Sequence, residues 1–147
     1  MGIWFGYISL FVFIMVIMLM PKNLTLREIY ITWGWMSFLT VFTDLVFGFI
    51  FDFYDFVDPK IDGADLFLEA VLPSSYGIIT ANFLPQKNSN FIWYLLGVIL
   101  AALFYEWLSL QAGYLVYKGW KLFYSIPVYI LGTLFLRWHL RFIRSGY

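Results

Sequence analysis

From residue 3 to residue 20 the chain carries no charged side chain. Crossing the hydrocarbon core of a bilayer takes a helix of about 20 mostly apolar residues, and a run like this would be hard to cover in water. Further apolar runs follow at 29–51, 66–84, 91–113 and 122–138. The last reaches spanning length once Lys121 and Arg137 extend their charged heads to the two interfaces. Only 12% of residues are charged, about half the share in a soluble domain. Aromatic residues make up 24%, which suits interfaces that collect Trp and Tyr. The chain therefore reads as all-α, a polytopic bundle of five transmembrane helices in a single domain over 1–147. A version with four spans stands beside it. Residues 66–84 contain Glu69 and the interruption Pro73-Ser74-Ser75-Tyr76-Gly77, which would suit a re-entrant segment.

Composition also excludes function classes. Cysteine is absent, which removes thiolate catalysis, disulfides and Fe–S clusters. The single histidine, His139, rules out a multi-histidine metal site within one chain; beside Trp138 it reads as an interfacial residue. Nine basic and nine acidic residues cancel, leaving no field for nucleic acid. No phosphate-binding glycine loop or Ser-His-Asp set is present, and no cofactor is implied. The first run lacks the basic flank and small-residue cleavage site of a secretory signal. Gly6 stands where a myristoylation motif needs Ser or Thr.

Lys and Arg set the orientation. With five spans, one side receives Lys22, Arg27, Lys87, Arg137, Arg141 and Arg144, and the other Lys60, Lys118 and Lys121. Six against three puts the N-terminus outside and the C-terminus inside. Arg137, Arg141 and Arg144 recur at helical spacing as a basic stripe at the inner leaflet, with membrane lipids as partners.

Three acids fall within spans: Asp44, Glu69 and Glu106. A carboxylate in a membrane is costly and marks a functional site by default. At about 1.5 Å rise per residue, they lie roughly 10, 5 and 10 Å from the outer ends of their spans, in one outer layer. Stripes of small and polar residues turn them inward: Gly34, Ser37, Thr40, Asp44 and Gly48 in the second span, and Glu69, Pro73, Tyr76, Gly77 and Thr80 in the third. The fourth stacks Ala102, Glu106, Ser109 and Gly113, and the fifth Ser125, Tyr129 and Gly132. Such stripes let membrane helices approach closely. Two roles compete for the acids. They pair with Lys118 and Lys121, or with Tyr105, Tyr124 and Tyr129, to hold the bundle together; or they line an outward cavity that binds a proton or cation.

The segment 52–65 carries five aspartates and reads as a solvated interfacial loop. Asp58, Asp62, Gly63 and Glu69 fall on positions 1, 5, 6 and 12 of an EF-hand, but Lys60 and Pro59 break the pattern. Asp58, Asp62 and Asp65 remain as a loose candidate for a hard cation. One echo runs along the chain: spans two and four each carry an outer-third acid, and spans three and five an early proline, as a duplicated helix pair would.

Tyr54-Asp55, Asp58-Pro59, Asn82-Phe83-Leu84-Pro85, Tyr105-Glu106-Trp107, Tyr117-Lys118-Gly119-Trp120-Lys121 and Tyr124-Ser125 together carry a resemblance. Over about 21–144 the chain resembles a family of small multi-pass membrane proteins of spore-forming Gram-positive bacteria, bacilli and clostridia, which carry no assigned activity. The resemblance implies a bacterial cell membrane as location and no catalytic residue. The leading expectation is a non-enzymatic structural or accessory membrane component, joined to further copies of itself or to another membrane protein. A small proton- or cation-binding transporter or sensor is the alternative. An enzyme acting on lipid headgroups through Glu106 with Tyr105 or Tyr124 is the third.

Overall fold

The computed structural model describes residues 2–56, 63–85 and 87–146. Among them are five long helices: α1 (Gly2–Leu19), α2 (Leu26–Asp44), α3 (Gly63–Asn82), α4 (Asn88–Gln111) and α5 (Ser125–Ser145). α2 runs on through a π-helical stretch, Leu45–Ile50, and a 3-10 turn, Leu122–Tyr124, leads into α5. Two short strands, β1 (Tyr54–Phe56) and β2 (Leu115–Tyr117), pair antiparallel. The helical reading of the sequence holds. The ribbon is an addition to it, since three residues are too few to display a strand's alternation.

Three helices are long and apolar enough to cross a membrane: α1, α2 with its π-helical extension, and α4. α3 and α5 fall short of that measure for different reasons. α5 carries Arg137, Arg141 and Arg144 in its second half. α3 is the central helix, packed against α1, α2 and α5. It buries Ser74, Ser75, Thr80 and Asn82, and a helix enclosed by protein needs no apolar coat.

The stretch read as an interruption of the third span lies inside an unbroken helix. Pro73 has no N–H and so withholds a donor from the carbonyl one turn back. Two serines enrich the adjoining turn with hydroxyls: Ser37 on α2 donates to the Ala70 carbonyl (3.3 Å) and meets Ser74 (2.8 Å), which also donates to Ala70. Gly77 lets Met36 approach within 3.0 Å of where a Cβ would stand. Residues 63–82 thus form one continuous helix through the stretch read as an interruption.

Each helix starts at the end where its predecessor stops. At one end, here the arginine end, Thr25 and Glu28 close a reciprocal capping box at the start of α2, as their spacing suggests. Glu28 also takes a 2.6 Å bond from Arg144 at the end of α5. Asn82, the last residue of α3, clamps the α1–α2 turn. Its side chain accepts from the Asn23 N–H (2.9 Å) and donates to the Pro21 carbonyl (2.8 Å), while Asn23 returns a bond to the Asn82 carbonyl (3.1 Å). The apolar cluster beneath is Met20, Leu24, Ile78, Ala81, Leu136 and Leu140. At the other end, the ribbon end, Leu68, Leu72 and Tyr114 form a second cluster.

The way back from α2 to β1 is tight. The π-helical stretch ends with Phe51 bonded to the Val46 carbonyl, and Asp52 then takes a positive φ of 52°, a conformation Asp tolerates better than most residues. This aims the Phe53 carbonyl at three successive N–H groups, those of Lys118, Gly119 and Trp120, at 2.9, 3.0 and 3.1 Å.

Asn82→Ala removes a clamp among partly buried backbone groups, at a cost of about 2 kcal/mol. Thermal unfolding of the detergent-solubilised protein should show a lowered midpoint for Asn82→Ala and none for Asn90→Ala, on the exposed start of α4.

Candidate functional site

Glu106, in the last third of α4, is 7% exposed, and three hydroxyls converge on it. Ser125 donates to Oε1 at 2.6 Å, Tyr117 donates to the same oxygen, and Tyr129 donates to Oε2 at 2.5 Å. Trp120 Nε1 donates to Ser125 Oγ at 2.9 Å. An indole N–H can only donate, so it fixes Ser125 as acceptor there and turns the serine's own proton towards Glu106. Ser125 is also the first residue of α5, which sets the carboxyl group beside the positive end of that helix.

Asp44, at the end of α2, repeats the motif more sparsely: its Oδ1 accepts from Tyr54 at 2.8 Å. Tyr54 is ten residues beyond Asp44, and Tyr117 eleven beyond Glu106. The two tyrosines face each other in the register of β1 and β2. Each helical hairpin, α2–α3 and α4–α5, thus ends its first helix near an acid, then sends a strand tyrosine back to it. The two acid–tyrosine pairs meet at the ribbon. Tyr54 also packs edge-on against Trp120, ring centroids 5.9 Å apart, so the chain Asp44, Tyr54, Trp120, Ser125, Glu106 is continuous.

Burial raises the pKa of the Tyr54 phenol, followed by the charge and bond of Asp44 and the charges of Glu69 and Glu106. All three acids therefore act on one ring. Burial likewise raises Tyr117, reinforced by its bond to Glu106. Both phenols keep their protons and serve as donors. Glu69 is half-buried and lies within range of the charge of Asp44.

The basic partners expected from the sequence are elsewhere. Lys118 binds Asp52 at 2.5 Å and Asp55 at 2.9 Å, and Lys121 is exposed. The physical reason lies just past β2: Tyr117, its last residue, is turned to Glu106, and Lys118, whose N–H is held by the Phe53 carbonyl, lies beside Asp52 and Asp55. Of the expected polar supports, Tyr129 reaches Glu106. Tyr105 packs on Phe5 and Phe13 of α1 (5.6 and 5.5 Å), and Tyr124 on Phe123 and Trp120 (4.6 and 5.8 Å). Among the small residues of the stripes, Ala102, Ser109 and Gly77 are buried, whereas Gly34 and Gly132 face open space. Asp58 and Asp62 lie outside the described residues, and Asp65 is buried in the first turn of α3. Among the described residues no cluster of three or more His, Asp or Glu is placed to hold a metal ion. The basic stripe is engaged within the protein. Arg144 binds Glu28, while Arg137 donates to Asn88 and stacks on Phe91 at 3.9 Å. Arg141 reaches Asn88 at 3.5 Å.

Residues the sequence reading did not single out as site residues are Tyr54, Tyr117 and Trp120, all in connections. The available signal was the spacing of acid to tyrosine, shared by both hairpins.

Removing the Tyr129 hydroxyl (Tyr129→Phe) should cost about 2 kcal/mol, as for a bond to a charged acceptor. In a Glu106→Gln background the same change should cost about half as much, read as a double-mutant cycle of unfolding midpoints. Asp52 and Asp55 raise the pKa of Lys118 above the ordinary 10.5. That pair's stabilisation is complete below the pKa of a free lysine and fades as pH rises through the raised value. Lys118→Met should remove this alkaline loss, and added salt should weaken the wild-type contribution.

In comparisons with known proteins, no family, no curated protein and no solved structure matches the chain.

Proposed function

We propose that the chain is a five-span membrane protein, ribbon end outside and arginine end inside, that serves as a non-enzymatic structural or accessory component. It works by association with lipid and with further copies of itself or another membrane protein. The observation that carries this reading is Glu106. Both of its oxygens are taken up by Ser125, Tyr117 and Tyr129, so this buried acid acts as a fastener between α4, β2 and α5.

The surface supports the membrane part of the reading. In the most apolar stretch of α2 and its π-helical extension no residue is buried, and Trp35, Phe38, Phe42, Leu45 and Phe49 stand exposed along it. Large exposed apolar faces mark contact with lipid or protein. α3 crosses as the enclosed helix, and α5 crosses with its arginines at the inner interface, where snorkelling is cheap. The six cations at the arginine end satisfy the positive-inside rule. A bacterial cell membrane as location is carried by the residue strings of the resemblance.

A second reading, proton or cation binding, has one observation in its favour: the charge of Asp44 reaches the half-buried Glu69.

A reporter fused after Gly146 should signal from the cytoplasm, and crosslinking in native membranes should capture the chain in a larger complex. An external reporter would overturn the topology, and a monomer with no crosslinked neighbour would remove the accessory role. Proton or cation flux into liposomes that is lost in Asp44→Asn/Glu69→Gln would favour the second reading.

A further inference from the structure

Arg137 and Arg141 stand one turn apart on α5, where residues four apart share a helix face. Both reach the first residue of α4. Arg137 Nη2 and Arg141 Nη2 donate to one oxygen, Asn88 Oδ1, the second at 3.5 Å. The Arg137 guanidinium also lies over the Phe91 ring, 3.9 Å from its centroid, and its Nε is enclosed without a hydrogen-bond partner. A guanidinium carries five N–H donors and no acceptor. Two of them here share a single neutral oxygen, and among the described residues neither pairs with a carboxylate.

Like charges held side by side call for a counter-ion, and this end of the bundle has none to spare. Glu28 is the only acidic side chain in the segments 20–30, 82–91 and 137–147, and Arg144 and Thr25 hold it. Lys87, exposed at the N-cap of α4, adds a third cation and makes no side-chain capping bond. The positive end of that helix is therefore open beside the arginines.

We infer that Arg137, Arg141 and the start of α4 form a binding site for one phosphate-type oxyanion. Arginine forks match phosphate oxygens two at a time, and a tetrahedral anion has oxygens for two forks and a helix start together. A carboxylate has only two. Arg141, Lys87 and Asn88 are exposed, so the anion reaches them without the bundle opening. Asn88 holds both side chains in place beforehand, which lowers the ordering cost of binding. Two sources share this chemistry: the phosphodiester of an anionic lipid, and free inorganic phosphate. Only the lipid source draws on the membrane orientation proposed above; the site itself does not.

The test has two arms, both on the full chain. One is calorimetric titration of inorganic phosphate into the detergent-solubilised protein. The other is native mass spectrometry after release from nanodiscs of phosphatidylcholine with phosphatidylglycerol. Saturable phosphate uptake assigns the free anion. Retention of one phosphatidylglycerol in preference to phosphatidylcholine, without such uptake, assigns the lipid. In the arm that binds, Arg137→Gln and Arg141→Gln should each lower binding about fivefold, the effect of one cation beside an anionic group. Lys22→Gln should leave it unchanged, since Lys22 lies at the same end but donates to the Ile17 carbonyl. Arg141 is exposed and makes one long contact, so Arg141→Gln keeps the fold and decides the matter where Arg137→Gln does not fold. No binding in either arm, or equal losses in Arg141→Gln and Lys22→Gln, would overturn the site. The phosphate arm needs no bilayer, so that outcome is distinct from a failure of the membrane reading.

Discussion

A carboxylate taken out of water has to be given back its hydrogen bonds, and at Glu106 three hydroxyls do so. An unmet buried charge costs several kcal/mol, so the surrounding elements are constrained together. Tyr117 must come from β2, Ser125 from the start of α5 and Tyr129 one turn further on. Ser125 thereby spends its side chain on a neighbouring helix. Trp120 fixes its rotamer from the loop side. The position of the ribbon and the entry angle of α5 both follow from one acid.

Hydroxyl groups suit this task better than an ammonium would. A lysine brought to Glu106 would itself lose its hydration, a second penalty of the same size. A tyrosine carries its donor on an apolar body that fills space between helices. The cation nearest in sequence, Lys118, stays where water can reach it, and pairs with Asp52 and Asp55 just past the strand. Ionic pairing is thus kept at the rim and neutral donors are sent inside. At the arginine end, Arg144 is likewise partly exposed while its partner Glu28 is nearly enclosed.

Much of the helical layout was legible because apolar length is a strong signal in a chain this poor in charge. Each helix from α2 to α4 begins about three residues before its apolar run, since capping and interfacial residues such as Thr25 and Asn88 add a turn that hydropathy overlooks. The capping box was legible for the same local reason: Thr25 and Glu28 satisfy each other across three residues. The face of α4 carrying Ala102, Glu106 and Ser109 was also readable from periodicity. Periodicity failed at Gly34 and Gly132, where a small residue marks open space. It could not reveal the ribbon, because β1 and β2 pair residues 59 to 63 apart in sequence. Lys118 was misassigned because distance along the chain says nothing about which way a side chain turns where a strand ends.

The two halves of the chain are joined in an unusual proportion of close packing to long reach. α2 and α3 pack closely, as do α4 and α5, but α3 and α4 are bridged by tyrosines. Tyr76 donates to the Val98 carbonyl at 2.8 Å and Tyr94 returns a bond to the Thr80 carbonyl at 2.6 Å. Interhelical bonds of this kind average about 0.6 kcal/mol each in a membrane, too little to join two hairpins alone. The remaining cohesion comes from α5, which packs on α2 and α3 and shares a core with them through Leu136 and Leu140, from the β1–β2 pairing at one end, and at the other from the Arg144–Glu28 bond between residues 116 apart in sequence. The bundle is consequently closed by its last helix, and a weakness at either end would open the same seam between α3 and α4.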